Sequence, residues 1–481
     1  MIGSQDRWQE ELFVACPLSE LIDEDHILKR VDKILHWGWL REEVRDLYDE
    51  EQGRPSIDPE AAVRLMLAGF FHGIVHDRKL MREAKVNIAM RWFAGYKLHE
   101  RLADHSSLTR IRQRWGAERF KTIFRKTVEQ CIRAGLVNGE TVHFDATLIR
   151  ADVSWASLTE RHAERVMEEN TLDEEESAGL RKPGRPRTRP PRVKKRSTTD
   201  PEATLATSSN DYHMEPSYKQ HTAVDDRAGI IVDVSVSSGE ESEGTRLLEQ
   251  IERVEEATGK TIKTATADRG YAHPKNYASL EERGTLALIP PQKEPSRSRS
   301  IPRRRFKYDA KKQIVRCPGG KRLRQSYRSR QGWVYRARMC DCRACPLKSR
   351  CLPPSATSRT ILIVDGYEAW LRARRRKHRW DDATREIYGR HKWQVEGVHG
   401  EAKTQHGLRR AVRRGMENVS IQVYLTAVVL NLKRLAALIF ALWRGARTIC
   451  RLLLRHGGRM WPPSVDSIIS PQISLSETMG G

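Results

Sequence analysis

The chain contains 481 residues, of which 86 are lysine or arginine and 63 are aspartate or glutamate, so its formal net charge is +23. This excess predicts a polyanionic partner, for which nucleic acid is the usual candidate and a membrane surface the alternative. The N-terminal sequence has no basic segment followed by an apolar run, which argues against a secretory signal. The most apolar late segment, Ile421–Trp443, contains Asn431, Lys433 and Arg434, so it predicts a packed helix rather than a membrane span. Composition therefore disfavours secreted and membrane-embedded proteins and indicates a soluble protein of a reducing compartment.

Residues 1–135 are predicted to be helical. Asp58 and Pro59 provide an N-cap and a proline at the first helical position, and the apolar residues that follow recur at helical spacing. A second helix is predicted over Lys79–Phe93. A third begins at Asp104, followed by further residues of N-cap type.

The third predicted helix carries Arg110, Arg112 and Arg114 beside apolar residues. Two helices joined by a short turn, with arginines on one face, could dock in a groove of DNA. The alternative is an amphipathic bundle whose basic face is simply solvated.

Residues 156–217 form a charged insert. Within it, Arg181–Arg196 contains nine basic residues, four prolines and no acid, so it is predicted to stay extended and disordered unless a polyanion orders it. Its KPGRPR core resembles an AT-hook, in which an Arg-Pro backbone lies in a narrow A·T minor groove, and Arg185, Arg187 and Arg189 are the candidate contacts. The alternative is a flexible linker.

Thr141–Ile149 is predicted to be a buried strand with one carboxylate, Asp145, at its centre. A hairpin, a helix, a strand over Thr261–Ala267, a helix and a further strand follow within residues 218–290, an order that predicts a central mixed sheet covered by helices. Asp268 comes directly after the second of these buried strands. Because ligands collect at the carboxyl ends of strands, Asp145 and Asp268 are predicted to face a shared cation. The alternative for Asp145 is a strand-end carboxylate that accepts hydrogen bonds from a turn.

A helix predicted over Asp381–Gln405 offers a third ligand. Glu396 and Lys403 are seven residues apart, which places them within about 20° on one helical face. A carboxylate for a metal and a lysine for a phosphate are what phosphoryl transfer needs. Glu401 lies about 140° away from Glu396 and is the weaker candidate.

Other polar residues near this predicted site have weaker claims. Arg390 and Lys392 add positive charge one to two turns before Glu396 and are further candidate DNA contacts. His143 is interpreted as a core residue in preference to a support for a ligand, and His221 and Asp225 as structural residues of the hairpin.

Five cysteines, namely Cys317, Cys340, Cys342, Cys345 and Cys351, lie close together in a basic region over residues 291–360. The same region contains three strand-like pieces, RFKYD, KQIVRC and GWVYRAR. The Cys342-x-x-Cys345 pair is a usable half-site for Zn²⁺, and two of the others could complete a tetrahedral site. Unliganded thiols are the alternative, since the spacing is irregular.

Together, HFDATLI, ADRGY and the helix with Tyr388, Arg390, Glu396 and Lys403 resemble the Asp-Asp-Glu signature of bacterial insertion-sequence transposases with a ribonuclease-H-like fold. The two separations are 123 and 128 residues, counted from Asp145 to Asp268 and on to Glu396. The helical segment DHSSLTRIRQRWG and the cysteine-rich insert also resemble this family, and the resemblance covers residues 15–150 and 210–435. His391 or Lys392 is the alternative to Arg390 in the signature.

The resemblance implies an α/β protein with a ribonuclease-H-like mixed sheet flanked by helices, an all-α N-terminal domain and a small cysteine-rich β insert. Its expected parts are a helical DNA-binding domain (1–135), the first part of the catalytic domain (136–290), the insert (291–360), C-terminal catalytic helices (361–445) and a tail (446–481).

The resemblance also implies an activity. Asp145, Asp268 and Glu396 would hold two Mg²⁺ or Mn²⁺ ions, and Lys403 would position the scissile phosphate. The enzyme would bind the terminal inverted repeats of its element, cut the DNA ends and join the 3′-hydroxyl to target DNA. A homodimer bound to double-stranded DNA in the bacterial cytoplasm, at the nucleoid, is expected. A non-enzymatic, zinc-containing DNA-binding regulator and a ribonuclease-H-like nuclease without strand transfer are the alternatives.

Overall fold

The structure is a computed structural model that describes residues 16–49, 56–154, 158–160, 195–206, 214–292 and 301–455. Arg185, Arg187 and Arg189 of the predicted AT-hook-like arm lie outside the described residues, as does the tail from residue 456. The described part comprises an N-terminal helical region, a central mixed sheet covered by helices, and a second, smaller sheet.

The N-terminal region is helical, as predicted. Its described helices are α1 (Ile27–Asp32), α2 (Leu40–Glu43), α3 (Pro59–Phe71), α4 (Asp77–Val86), α5 (Ile88–Phe93) and α6 (His105–Arg133). Asp58 caps α3, because its side chain accepts hydrogen bonds from the N–H groups of Glu60 and Ala61. Asp104 caps α6 through the N–H of Ser106. The sequence signals for both helix starts are therefore confirmed.

The helix predicted over Lys79–Phe93 is in fact two helices. Asn87 between them has an extended backbone, and its side chain accepts a hydrogen bond from the N–H of Met90, so the chain starts a new helix there. The long helix α6 is kinked at Gly116, whose φ of 64° lies in the left-handed region that glycine tolerates.

The strands before the cysteine-rich region form the central sheet and a small two-stranded ribbon. They are β1 (Thr141–Arg150), β2 (Leu158–Glu160), β3 (Lys195–Ser197), β4 (Thr204–Ala206), β5 (Glu215–Asp225), β6 (Ile231–Ser238), β7 (Thr264–Ala267) and β8 (Leu286–Leu288). The central sheet has the order β4-β5-β1-β7-β8, with β6 paired along β5, and β2 pairs with β3. β5 is antiparallel to β1 and β6, whereas β1, β7 and β8 are mutually parallel.

The predicted hairpin is present: β5 and β6 are joined by a turn that ends at Gly229, with φ of 67°. The predicted α/β class is thus confirmed, with a mixed sheet flanked by helices and an all-α N-terminal region. The helices after the hairpin are α7 (Leu247–Thr258), α8 (Pro274–Glu282), α9 (Met339–Arg343), α10 (Lys348–Cys351), α11 (Tyr367–Lys377), α12 (Asp382–Gln405) and α13 (Met416–Arg455).

Helix α13 contains the apolar segment that was predicted to be a packed helix. By length and composition its stretch Met416–Gly445 could cross a membrane. In the structure it packs on α6 and β6, and the fully buried Asn431 hydrogen bonds to both the N–H and the carbonyl oxygen of Ile231. The polar residue at its centre is therefore satisfied by the edge of the sheet.

The cysteine-rich region contains the second sheet, whose order is β13-β12-β11-β10-β9. Its strands are β9 (Lys307–Asp309), β10 (Ile314–Arg316), β11 (Arg322–Ser329), β12 (Gly332–Arg336) and β13 (Thr360–Val364). The sequence pieces RFKYD, KQIVRC and GWVYRAR coincide with three of these strands. The strand β11 was missed because its only buried residue is Leu323, which leaves no alternating apolar face to detect.

Candidate active site

Asp145 and Asp268 lie side by side at neighbouring parallel strands, as predicted. Phe144 of β1 pairs with Ala267 of β7, so Asp145 is the next residue of β1 and Asp268 is the residue directly after β7. Asp268 also begins the short turn of helix Arg269–Tyr271, where its Oδ1 accepts a 2.7 Å hydrogen bond from the N–H of Gly270. The turn therefore fixes the Asp268 carboxylate at the carboxyl end of β7.

The two carboxylates differ electrostatically. Burial opposes the charge on Asp145, but the neighbouring His399 and the N–H of Ala146 together outweigh it and lower the pKa of that carboxyl. Burial raises the pKa of Asp268, and the negative charge of Asp145 raises it further. The pair thus concentrates negative charge that a cation would compensate.

Helix α12 packs on β1 and β7 and presents a row of polar side chains to these two strands. Nδ1 of His391 is 2.9 Å from Oγ1 of Thr266, and Nδ1 of His399 is 3.6 Å from Oδ2 of Asp145. One turn further, Nζ of Lys403 donates a 2.5 Å hydrogen bond to Oγ1 of Thr147. Residues four apart share one side of a helix, which is why this row follows β1.

Lys403 and Glu396 have different surroundings, although they are close in angle around α12. Lys403 is half-buried, and burial lowers its pKa while the charge of Asp145 opposes the shift. Glu396 is exposed, and no hydrogen bond or ion pair connects it to another described residue. The structure thus brings Asp145 next to Asp268 and Lys403 next to the strand that carries Asp145, whereas the Glu396 side chain is exposed at the surface.

His143 lies behind this row and is fully buried. Its Nδ1 is 2.6 Å from Oγ1 of Thr266 and its Nε2 is 2.9 Å from Oδ1 of Asp226. Arg390 donates two hydrogen bonds of 2.8 Å to the Asp226 carboxylate. Arg390 therefore ties α12 to the hairpin turn, and His143 is a core residue with both ring nitrogens paired.

Arg112 was predicted to bind DNA, but the structure places its side chain in the protein interior. It is 3% exposed, and its Nη1 lies 2.7 Å from Oδ2 of Asp77, which also accepts from Arg413. A buried guanidinium in such a cluster cannot reach a phosphate. Arg110 and Arg114 of the same helix and Lys392 of α12 are exposed.

The residues with weaker claims to the predicted site, namely Glu401, Asp225 and His221, each have partners elsewhere in the fold. Glu401 faces α13, where Lys433 and Arg434 bind it. The nearby His406, whose Nε2 lies 3.7 Å from Oε1 of Glu401, is the main cause that lowers the pKa of Glu401 to about 2. Asp225 accepts hydrogen bonds from the N–H groups of Asn138 and Gly139. His221 is buried, with its Nε2 2.8 Å from Oγ of Ser237.

The cysteine cluster does not support a zinc site. Burial raises the pKa of the Cys351 thiol, and nearby Cys342, Cys345 and Cys317 raise it further, so these four lie near one another, whereas Cys340 is exposed. All cysteines in the described ranges whose side chains are placed are free thiols. Across those same ranges, no group of three or more His, Cys, Asp or Glu side chains has an arrangement that could hold a metal ion.

The chemistry of the two aspartates nevertheless fits a hard divalent cation. Mg²⁺ and Mn²⁺ prefer carboxylate oxygens and are often bound by one or two protein carboxylates together with substrate phosphates. Asp145 and Asp268 supply such oxygens, and the pKa of Asp268 is raised partly by the charge of Asp145. The pair is therefore a two-carboxylate cradle to which a further ligand must be added.

Two family models match the chain. The family described as "Transposase domain (DUF772)" matches residues 17–114, which include α1 to α5 and the start of α6, and a "Transposase DDE domain" matches residues 316–436, which include α12. The second match contains Glu396 and Lys403 but neither Asp145 nor Asp268. No curated protein matches the chain.

Similar solved structures are also transposases, at low similarity. A piggyBac transposase synaptic complex with hairpin DNA is 9% identical, with a TM-score of 0.32, over 94% of this chain and 77% of that one. A Mos1 transposase paired-end complex with left transposon end is 12% identical, with a TM-score of 0.16, over 50% and 61% of the two chains. A Mos1 mariner paired end complex with Mn is 13% identical, also with a TM-score of 0.16, over 50% and 62%. These TM-scores are too low to support an argument about shared geometry. Residues 17–114 and 316–436 are thus each similar to a family of transposase domains.

Proposed function

We propose that the chain is a DNA transposase that binds the terminal inverted repeats of an insertion sequence, cleaves the element ends and joins the 3′-hydroxyl to target DNA. The observation that carries the proposal is the adjacent position of Asp145 and Asp268 on parallel strands, with Lys403 above the same strand. Two carboxylates and a lysine at one end of a sheet match the needs of phosphoryl transfer.

In this proposal Asp145 and Asp268 bind Mg²⁺ or Mn²⁺, and Glu396 is the third carboxylate of the signature. The bound ions supply charge compensation at the scissile phosphate and a more acidic attacking hydroxyl group. Lys403 binds a phosphate oxygen, and its hydrogen bond to Thr147 holds it over β1 in readiness. His399 orients the Asp145 carboxylate from the other side.

DNA binding is attributed to exposed basic side chains. Arg110, Arg114 and Lys392 are exposed, in contrast to Arg112, and the net charge of +23 favours a polyanion. Arg185, Arg187 and Arg189 are retained as proposed contacts of the arm. Because two element ends must be cut together, a homodimer is proposed, acting on the nucleoid in the bacterial cytoplasm.

The test is a metal-dependent cleavage and joining assay on linear DNA that carries the inverted repeats flanking the gene. We expect Mg²⁺-dependent nicking and joining by the wild-type chain and neither by Asp145→Asn. Glu249→Gln on α7 is the matched control, because it removes a carboxylate charge from an exposed helix position outside the site. Cleavage without joining would favour the nuclease alternative, and binding without any cleavage would favour the DNA-binding regulator.

A further inference from the structure

One face of the second sheet carries a group of basic side chains that extends over four strands. Arg316 of β10 pairs with Arg322 of β11 and, on its other side, with Lys307 of β9. Arg324 of β11 pairs in the same way with Arg336 of β12. Directly paired residues, and residues two apart on one strand, point to the same side of a sheet. All five side chains therefore lie on one side, and we call them the basic face.

The opposite side of this sheet is apolar and belongs to the protein core. Val315 and Leu323, which pair with each other, are fully buried, and Tyr335 is also buried. By contrast, every residue of the basic face is exposed. Because burial of the apolar side stabilises the sheet, the basic side chains are not required to cover a core. They can therefore contact a partner outside the chain.

The basic face is not neutralised by ion pairs within the described part of the chain. None of its five side chains has a hydrogen bond or an ion pair with another described residue. Asp309, two residues after Lys307, lies on the same side, and its Oδ1 accepts a 3.1 Å hydrogen bond from the N–H of Lys312. Arg328, further along β11, differs from the basic face because it donates two hydrogen bonds of 2.9 Å to the Asp365 carboxylate.

The pairing within the basic face costs free energy unless an anion is present. Like charges directly opposite each other on neighbouring strands destabilise a sheet, and the Cβ atoms of such pairs lie about 4.5–5.5 Å apart. Arg316 with Arg322, and Arg324 with Arg336, are pairs of this kind. A partner with several negative charges relieves the repulsion, and the regularly spaced phosphates of DNA are such charges. The net charge of +23 favours the same class of partner.

The width of the basic face determines which part of DNA it fits. Its residues lie on four neighbouring strands, β9 to β12. Strands about 4.8 Å apart give a width of about 14 Å, whereas the major groove of DNA is about 12 Å wide. A surface of this width lies across the phosphate backbone and does not enter the groove to read base edges.

We propose that the basic face binds the phosphate backbone of double-stranded DNA without reading its sequence. The inference rests on the proposed function, since that function supplies DNA as the partner. It assigns DNA binding to the cysteine-rich region, in addition to the arginines of the N-terminal helices. The competing explanation is a solvated surface that binds nothing.

The experiment measures DNA binding by the full-length chain, by fluorescence anisotropy over a range of salt concentrations. The probes are a duplex with the inverted repeat that flanks the gene and a duplex of scrambled sequence. The double variant Arg322→Gln/Arg324→Gln should lower the slope of log affinity against log salt by about two on both duplexes. Arg324→Lys should keep the wild-type slope, because it keeps the charge. Arg343→Gln is the matched control, since it removes a positive charge from an exposed position on α9, outside the sheet.

Urea unfolding at low salt separates a binding role from a structural one. The midpoint of the double variant should equal or exceed that of wild type, because each substitution removes one member of a like-charged pair. A lower midpoint together with weaker DNA binding would indicate a structural role and overturn the proposal. If the double variant does not fold, Arg316→Gln/Arg336→Gln, which removes the other member of each pair, replaces it.

The outcomes separate this proposal from the proposed function. A wild-type slope in the folded double variant would overturn the role of the basic face, while DNA cleavage by the wild-type chain would leave the proposed function intact. Loss of binding to phosphatidylserine vesicles with an unchanged DNA slope would overturn it in favour of a membrane surface. Conversely, a lowered slope on both duplexes, in a chain whose wild type never cleaves DNA, would support the basic face and refute the proposed function.

Discussion

Replacing Arg112 tests directly whether this predicted DNA-binding residue belongs instead to the protein core. Replacing it by methionine keeps the bulk of the side chain and removes one guanidinium from the Asp77 carboxylate. The side chains of Arg112 and Asp77 are 3% and 5% exposed, so the loss takes place in a desolvated site. Removing one partner of a buried ion pair costs about 3–5 kcal/mol. Because Asp77 keeps Arg413 as a second partner, we expect the lower end, about 3 kcal/mol.

Urea unfolding followed by circular dichroism measures this loss, with Arg110→Met as the matched control. Arg110 is exposed on the same helix, so its replacement should change stability by less than about 0.5 kcal/mol. DNA affinity should show the reverse pattern when it is measured on the folded fraction: unchanged in Arg112→Met and weaker in Arg110→Met. If Arg112→Met were as stable as wild type and bound DNA as poorly as Arg110→Met, the assignment of Arg112 to the core would be refuted.

The ion pair between Asp77 and Arg112 also predicts how the stability of the protein depends on pH. Burial works against the charge on Asp77, but the positive charges of Arg112 and Arg413 outweigh it, so the pKa of this carboxyl lies below its ordinary value. A lowered pKa means that the stabilisation is complete above the unfolded-state pKa of about 4 and is lost as the pH falls through the lower folded-state value. The stability difference between wild type and Asp77→Asn should therefore shrink below about pH 4.

Three further predictions concern α12 and the DNA-binding surface. Glu401, with a pKa lowered to about 2, should stabilise the fold fully above the unfolded-state pKa of about 4.3. The free energy of unfolding should therefore exceed that of Glu401→Gln by up to about 3 kcal/mol near neutral pH, and acid unfolding should show this difference disappearing between about pH 4 and 2. Lys403→Met should reduce strand cleavage about 100-fold with little change in unfolding midpoint, whereas an unchanged cleavage rate would remove Lys403 from the site. Arg114→Ala should lower the slope of log affinity against log salt by about one, as measured by fluorescence anisotropy, and an unaltered slope would place Arg114 away from DNA.

Local signals in the sequence were sufficient for much of the fold. Asp58 and Asp104 start helices because an N-cap carboxylate acts within three residues, and the hairpin follows from alternating residues around a short turn. Asp145 and Asp268 could be placed together because each occurs within or directly after a buried strand, and parallel strands end at the same edge.

Other features depend on contacts between distant segments and had no local signal. Glu243 lies in a loop without periodicity, and its position beside Asp268 results from the packing of two turns. Arg112 is a different case, because helical spacing alone could have predicted that it is buried while Arg110 is exposed. On a helix it lies about 40° from Leu108, which is buried, whereas Arg110 lies about 160° from Leu108.

The anchoring of α12 limits how the third carboxylate can reach the metal site. Near the start of its buried stretch the helix is tied to Asp226 by Arg390, and near its end it is tied to α13 by the ion pair of Glu401 with Lys433. The residues buried between these points are centred about 130° from Glu396 around the helix. Rotating the helix to turn Glu396 inward would break both attachments.

The lengths of the two side chains explain why Lys403 contacts the sheet and Glu396 does not. Lys403 lies within about 20° of Glu396 around the helix, yet it reaches Thr147 because its four methylenes extend around the flank. Glutamate has two methylenes and a carboxylate, so the same flank leaves Glu396 exposed. If α12 keeps both attachments, Glu396 can contribute to the metal site only through a cation or a DNA strand that lies between it and the two aspartates.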